Sequence, residues 1–188
     1  MAHERKASSI LLLTGVPGVG KTTLIRKIAD ALTLRGERIR GFTTEEIRVG
    51  GRREGFRIET FNGDDAILAH TSIRSPHRVG KYGVDVDAMD DVVDLVFGPD
   101  KPVGFYLIDE IGKMECFSAR FVAAMKTLLD SGARVVATIP LRGGGFPQQV
   151  KQRPDVELWE LTPQNRDELF GQAIAWSEGG QRPNKAAD

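Results

Sequence analysis

A glycine-rich run near the start of the chain constrains its fold more than any other feature. Gly15, Gly20, Lys21 and Thr22 match G-x-x-x-x-G-K-[ST], the pattern of a phosphate-binding loop. The apolar segment Ser9–Thr14 precedes the loop, as a buried strand would. After the loop, apolar residues recur at the spacing of one helix face: Leu24, Ile25, Ile28, Ala29 and Leu32. The order strand, glycine loop, helix is the context in which this pattern binds phosphate.

The physical basis of that binding assigns roles within the loop. Glycines let the backbone approach an anion, and backbone N–H groups at the start of the following helix then surround the phosphates. Lys21 is expected to reach the β- and γ-phosphates and to act in catalysis, and Thr22 to hold Mg²⁺. The predicted nucleotide-binding residues of this segment are Gly15, Val16, Pro17, Gly18, Val19, Gly20, Lys21, Thr22 and Thr23.

Strand and helix patterns alternate along most of the chain, which predicts an α/β protein. We expect a three-layer P-loop NTPase fold with a mostly parallel central sheet. Turn signals at Gly50-Gly51 and Asn62-Gly63 separate short alternating runs, so an antiparallel β-meander insertion is predicted at about 41–70. Residues 1–178 are expected to form a single domain, followed by a disordered tail at 179–188.

Four later positions or segments lead to more specific expectations. Residues 72–84 (SIRSPHRVGKYGV) are predicted to be a loop, and LRGGGFPQQ (141–149) a flexible loop. Asp85 is expected to cap a helix, and Thr162 to cap the last helix with Pro163 at its first position.

A second acidic position completes the predicted site. The apolar run Val103–Ile108 ends in Asp109 and Glu110, so that Asp109 follows a buried strand. An aspartate at that end of a parallel strand lies beside the phosphate loop and can hold Mg²⁺, often through water. Glu110 is the expected catalytic carboxylate, which would orient or deprotonate an attacking water. This pairing favours hydrolysis over transfer to another acceptor.

Negative charge develops on the transferred phosphoryl group, so we also expect a further cationic side chain near the site. Arg78 and Lys81 are the preferred candidates, because the segment RVGKY contains a glycine and could close over the site. The guanine-reading pattern N-K-x-D is absent from the sequence, so nothing selects guanine.

Composition limits the partners. Lys plus Arg equals Asp plus Glu at 26 each, so no global charge favours nucleic acid or an anionic membrane. A single cysteine suits a reducing compartment, and no targeting or membrane-spanning run is visible, so we expect a cytoplasmic protein. Nucleoside triphosphates are the expected ligands; the sequence identifies no protein partner.

Several longer segments resemble one family, the small nucleoside-triphosphatases, a thermophile-derived family that includes the human cancer-related NTPase. The resemblance covers about Ile10–Phe170 and is carried by GFTTEEIR, GGRREGF, RVGKYGVDV, IDEIGKME, TIP and TPQNRDEL. It implies slow hydrolysis of several nucleoside triphosphates, ATP and GTP among them, to diphosphate and phosphate, with little base selectivity. It also implies a second nucleotide contact at Asp109, Glu110, Ile111, Gly112 and Lys113.

An Mg²⁺-dependent nucleoside-triphosphatase is therefore the leading hypothesis. Two alternatives stay open at this point. A P-loop kinase for a nucleoside, a nucleotide or an RNA end would share the loop and use an arginine-rich lid. A nucleotide-gated binding protein would use slow hydrolysis as a timer.

Overall fold

Strands and helices alternate in the first and last parts of the described chain, with a run of consecutive strands between them. The structure is a computed structural model and describes residues 8–98 and 103–179. The strands are β1 (Ile10–Thr14), β2 (Ile39–Val49), β3 (Arg52–Thr60), β4 (Asp65–His70), β5 (Arg78–Val79), β6 (Tyr82–Val84), β7 (Phe105–Ile108), β8 (Val135–Thr138) and β9 (Val156–Glu160). The helices are α1 (Lys21–Leu34), α2 (Val86–Phe97), α3 (Ala119–Asp130), α4 (Phe146–Lys151) and α5 (Arg166–Ser177), with a 3₁₀ turn at Glu115–Phe117.

The described strands form one nine-stranded sheet in the order β5-β6-β4-β3-β2-β7-β8-β1-β9. Strands β2, β7, β8, β1 and β9 pair in parallel. From β2 outward through β3, β4, β6 and β5, every pair is antiparallel. The predicted α/β class is confirmed. The sheet as a whole is mixed, because the antiparallel strands extend the parallel part at its β2 edge.

Both faces of the parallel part are buried, and β1 illustrates why. Ile10 and Leu12 pack in one apolar cluster with residues of α2 and α3. Leu11 and Leu13 pack in a second cluster with residues of α1 and α5. Because successive side chains of a strand point to opposite faces, a strand covered on both faces reads as a continuous apolar run. This burial fixes β1, and with it the start of the glycine loop.

The antiparallel part is larger than expected. The segment predicted as a loop at 72–84 contains the β5–β6 hairpin, in which Arg78 pairs with Gly83 and Val79 with Tyr82. Strand β6 in turn pairs with β4. Antiparallel pairing therefore continues as far as Val84. The strands have only two and three residues, too few to show an alternating pattern.

Two helix predictions need correction, and one is confirmed. The expected loop at 141–149 contains the start of α4, whose N-terminal turn carries a proline. Helix α5 begins at Arg166 with Asn165 as its N-cap, instead of starting at Pro163. Asp85 caps α2 as predicted and accepts a hydrogen bond of 3.0 Å from the Ala88 backbone N–H.

The predicted disordered tail at 179–188 lies outside the described residues except for position 179. Within residues 8–98 and 103–179, no helix has the length and apolar character needed to cross a membrane.

Candidate active site

The loop between β1 and α1 has the backbone geometry of an anion site. Gly18 and Gly20 have φ angles of 76° and 106°, which side-chain-bearing residues rarely adopt. Gly15 is pressed against the chain after β9, where a Cβ would lie 2.6 Å from the Leu161 carbonyl oxygen. Gly20 caps α1, and within residues 8–98 and 103–179 no side-chain hydrogen bond caps the start of that helix. The first amides of α1 are therefore available to an anion.

A cavity of about 780 Å³ opens beside this loop. Its volume lies in the range typical of small-molecule sites, about 300–1,000 Å³. Residues of the loop, the antiparallel strands, the segment after β7 and the segment after β8 line it: Gly18, Gly20, Lys21, Thr22, Thr23, Thr44, Glu45, Glu46, Phe56, Val79, Asp109, Glu110, Lys113, Met114, Glu115 and Pro140. The structure thus brings the two predicted halves of the site together. Lys21 Nζ donates a 3.2 Å hydrogen bond to the Gly15 carbonyl oxygen.

Asp109 is buried, with 3% of its surface exposed, directly after β7. The Thr138 hydroxyl donates to its Oδ1 over 2.6 Å, and the Thr44 hydroxyl donates to its backbone oxygen over 2.5 Å. Its Oδ2 is buried without a hydrogen-bond partner among the described residues. Burial raises the pKa of Asp109, while the hydroxyls of Thr138 and Thr22 act in the opposite direction. A buried carboxylate oxygen without a partner is costly unless a cation neutralises it.

Glu110 and Glu115 add two carboxyl groups to the same cavity wall. Burial raises the pKa of Glu110, and Lys21 partly offsets this effect. Glu115 has 4% of its surface exposed, and burial raises its pKa to about 8, with Glu110 and Asp109 adding to the rise. The sequence did not identify Glu115 as a site residue. Its position depends on the turn in which the Cys116 N–H bonds the Gly112 carbonyl oxygen.

The other predicted nucleotide-binding residues divide into two groups. Lys113 lines the cavity, whereas Ile111 is fully buried in the core. Val16 and Pro17 are exposed on the loop, and Val19 is buried beneath it. These residues shape the loop rather than face the cavity.

Arg78 and Lys81, the preferred cations, do not line the cavity within the described part of the chain. Arg78 Nη2 donates to the Lys81 carbonyl oxygen over 2.8 Å. Lys81 Nζ donates to the Arg53 carbonyl oxygen over 2.8 Å and lies 5.3 Å from the centre of the Tyr82 ring. Both side chains therefore make their hydrogen bonds within the antiparallel part of the protein.

Lys151 is a cation that the sequence interpretation missed. Its Nζ donates to the Leu141 carbonyl oxygen over 3.0 Å and also to the Pro140 carbonyl oxygen. Burial lowers the pKa of Lys151, and the nearby Glu110 carboxyl acts in the opposite direction. Lys151 lies on α4, directly after the segment that was predicted to be a flexible loop. No local sequence pattern therefore placed Lys151 near the site.

The antiparallel strands supply an acidic wall opposite the carboxyl ends of the parallel strands. Glu45 pairs with Arg26 at 2.6 Å and with Arg57 at 2.9 Å. Glu46 pairs with Arg53 at 2.6 Å. These arginines lower the pKa of each glutamate, Arg57 most for Glu45 and Arg53 most for Glu46. Both glutamates are therefore ionised at neutral pH, and each is paired with an arginine.

Comparison with known proteins identifies the family. A family model described as NTPase matches residues 10–174, which is most of the chain. The chain belongs to this NTPase family. The match includes the glycine loop, Asp109, Glu110 and Glu115, so the described cavity lies within the family region.

Individual members of the NTPase family are similar over nearly their whole length. Nucleoside-triphosphatase THEP1 of Thermotoga petrophila is 41% identical, with 87% of this chain and 90% of the relative covered. The human cancer-related nucleoside-triphosphatase is 36% identical, with 92% and 98% covered. The crystal structure of THEP1 from Aquifex aeolicus superimposes with a TM-score of 0.78 at 37% identity, over 90% of this chain and 99% of that one. The resemblance read from the motifs is confirmed.

Proposed function

We propose that the protein hydrolyses nucleoside 5′-triphosphates to diphosphate and phosphate, with Mg²⁺ and with low base selectivity. The observation that carries this proposal is the buried, unpartnered Asp109 Oδ2 in the cavity that Lys21 and Thr22 also line. The relatives named above are nucleoside-triphosphatases, which supports the same reaction. Apolar clusters on both faces of the sheet support a three-layer P-loop NTPase arrangement.

The residues fit a divalent cation that is shared with the nucleotide. No group of three or more His, Cys, Asp or Glu side chains is arranged to hold a metal within the described ranges. Mg²⁺ prefers oxygen ligands and usually binds through one or two protein groups plus substrate phosphates and water. Thr22 and Asp109 would hold it here. When bound, it neutralises charge on the β- and γ-phosphates.

Lys21 and the backbone amides stabilise the phosphates. The bond from Lys21 Nζ to the Gly15 carbonyl oxygen keeps the ammonium group over the loop, where the phosphates would bind. Amides at the start of α1 add preorganised donors without a side-chain competitor. Together they offset the charge of the triphosphate before the bond to the γ-phosphate breaks.

Glu110 is placed to act on water. Its carboxyl lines the cavity next to Asp109, and burial raises its pKa above the ordinary value. A carboxylate with a raised pKa is a stronger proton acceptor. We assign to Glu110 the orientation of the attacking water and acceptance of its proton at the carboxylate. Asp109 keeps a separate role, since Thr138 and the proposed cation engage its two oxygens.

The position of the β5–β6 hairpin argues for hydrolysis over phosphoryl transfer. The kinase hypothesis uses an arginine-rich lid, and RVGKY is the segment that we expected to close over the site. In the fold, Arg78 and Lys81 bond to backbone oxygens of the antiparallel part. This leaves water as the favoured acceptor.

Two substitutions test the proposal in purified full-length protein. Glu110→Gln should retain ATP binding and reduce phosphate release by about a hundredfold or more, the usual contribution of a positioned base. Lys21→Ala should lose both binding and turnover. Phosphate release and equilibrium binding are measured for ATP, GTP, CTP and UTP with and without Mg²⁺.

Glu160→Gln is the matched control, because Glu160 is an exposed glutamate at the end of β9. It should behave as the unaltered protein. Full turnover by Lys21→Ala, or equal turnover by Glu110→Gln, would refute the assigned mechanism. Faster transfer of labelled phosphate to an acceptor than to water would identify a kinase instead.

A further inference from the structure

A second cleft, of about 310 Å³, lies next to the phosphate loop on the side away from the carboxylates. It is formed by the first two turns of α1 and by the segment that joins β9 to α5. Gly20 and Thr23 line both this cleft and the larger cavity. A ligand bound at the loop can therefore extend from one space into the other.

The order of the strands gives the two spaces different roles. Asp109 follows β7, which is separated from β1 by β8, whereas Leu161 follows β9 on the opposite side of β1. These strands are parallel, so their carboxyl ends lie along one edge of the sheet. If the γ-phosphate lies beside Asp109, as in the proposed function on which this inference rests, the nucleoside leaves the loop on the β9 side.

We propose that this cleft binds the nucleobase and that Arg166 covers one face of the base. The floor is apolar, since Leu24 and Leu161 are 4% and 1% exposed. Arg166 is exposed at the rim, and its Cδ lies 3.8 Å from where a Cβ on Gly20 would be. Its stem therefore passes directly over the phosphate loop.

The guanidinium group of Arg166 is available for this contact. It forms no hydrogen bond or ion pair with any residue that the structure describes. A planar guanidinium stacks on the face of an aromatic ring, and every base offers such a face. Arg166 would therefore hold adenine, guanine, cytosine and uracil alike.

The segment that carries Arg166 is held in place from two sides. The Leu161 N–H bonds the Thr14 carbonyl oxygen at 2.7 Å, which ties it to β1. Asn165 accepts a 2.8 Å bond from the Thr162 N–H and donates a 2.9 Å bond to the Glu160 carbonyl oxygen. Asn165 thus shapes the turn, and Arg166 is the residue presented to the ligand.

The cleft also contains little that could distinguish one base from another. Beyond Arg166, the charged side chains that line it are Lys27 and Asp167, and both are exposed at its rim. Discrimination between bases needs donors and acceptors fixed against the base edge. A stacking contact over an apolar floor instead gives affinity that is shared by all four nucleotides.

The test compares ATP with inorganic tripolyphosphate, which has the phosphates but no base, by calorimetry with Mg²⁺. Arg166→Ala should raise the Kd of ATP by about two- to thirtyfold, the range of a cation–π contact. The affinities for GTP, CTP and UTP should fall to a similar extent, while the affinity for tripolyphosphate should not change. Arg166→Lys should bind ATP as weakly as Arg166→Ala, because lysine retains the positive charge but lacks the planar guanidinium group.

Arg120→Ala is the matched control, since Arg120 lies near the start of α3 and pairs with Asp94 away from the cleft. It should bind every probe normally. Equal weakening of ATP and tripolyphosphate by Arg166→Ala would overturn the proposal, as would unchanged ATP binding or weakening limited to one nucleotide. Protein that binds ATP through Arg166 and releases no phosphate would contradict the proposed hydrolysis and leave the cleft assignment intact.

Discussion

Glu115 limits the negative charge of the candidate site. Three carboxyl groups, those of Asp109, Glu110 and Glu115, line one cavity that is expected to bind an anionic triphosphate. With its pKa raised to about 8 by burial, Glu115 is mostly protonated at neutral pH. A neutral Glu115 reduces the negative charge that the cavity presents to an anionic triphosphate.

This state of Glu115 predicts how stability depends on pH. Its carboxyl titrates near the ordinary value of 4.5 in the unfolded chain and near 8 in the folded protein. Between these values the folded protein holds a proton that the unfolded chain has released, so the free energy of unfolding falls as the pH rises. Asp109 and Glu110, whose pKa values are also raised, act in the same direction.

Glu115→Gln removes the part of this dependence that belongs to Glu115. Glutamine has a similar shape and cannot ionise, so the variant should lose less stability than the unaltered protein between pH 5 and pH 8. Urea unfolding at a series of pH values measures this slope. The exposed Glu160→Gln variant should keep the original slope, and an unchanged slope in Glu115→Gln would show that Glu115 is ionised.

At the residue scale, the sequence predicted those site residues that lie close together along the chain. The loop residues and the pair Asp109-Glu110 belong to short patterns with local causes. Glu115 and Glu45 reach the cavity through a turn and an antiparallel strand. Lys151 lies on a short helix near the Glu110 carboxyl. No local pattern encodes such convergence, because it depends on where distant elements meet.

At the scale of elements, the pairing of β2 with β7 positions the carboxylates of Asp109 and Glu110. Gly41 lies opposite Leu107 in this pair, and the Asp109 N–H bonds the Phe42 carbonyl oxygen at 3.1 Å. Gly41 has a φ of 134°, and a Cβ there would lie 1.7 Å from the Leu107 carbonyl oxygen. Only glycine allows the two strands to approach so closely.

Gly41→Ala should therefore separate the strands and displace Asp109. Combined backbone strain and overpacking predict a loss of about 3 kcal/mol or more in the free energy of unfolding, together with loss of phosphate release. Chemical denaturation and a phosphate assay measure the two effects.

Gly63→Ala is the control, because Gly63 has a φ of 96° but open space around a Cβ. This variant should lower the free energy of unfolding by about 1 kcal/mol and leave phosphate release unchanged. If the two variants were equally stable, the contact between Gly41 and Leu107 would not constrain the sheet.

Element prediction succeeded where length and periodicity were sufficient. Strand β1 and helix α1 show clear apolar patterns and lie where the sequence predicted them, and α2 begins after its predicted cap, Asp85. The β5–β6 hairpin and α4 are too short for such a pattern. The start of α5 was misplaced because Thr162-Pro163 is a strong helix-start signal that here opens a turn closed by Asn165.

At the scale of the whole molecule, the antiparallel strands and the parallel part share one sheet and one core. Ile58 and Leu68 pack in the same apolar cluster as Met89 and Phe121. Glu45, on β2, lines the cavity together with the phosphate loop. The cavity wall and the core therefore belong to the same sheet, and we expect the protein to unfold in a single cooperative transition.

Ligand binding should stabilise this cooperative unit. A ligand that binds only the folded state at a hundred times its Kd adds about 2.7 kcal/mol. For a chain of this size, that free energy raises the melting temperature by about 5–10 °C. We expect such a shift with ATP and Mg²⁺, and a smaller one with ATP and a chelator, measured by calorimetry or fluorescence.

Asp109→Asn separates the contribution of the metal from that of the nucleotide. The amide keeps the shape of the side chain and can still accept the bond from the Thr138 hydroxyl, but it lacks the charge that the unpartnered Oδ2 presents. The variant should therefore show the same shift with ATP whether Mg²⁺ or a chelator is present. A persistent Mg²⁺-dependent shift in Asp109→Asn would mean that the cation is held elsewhere, because a metal held by the phosphates and Thr22 alone would not need the Asp109 carboxylate.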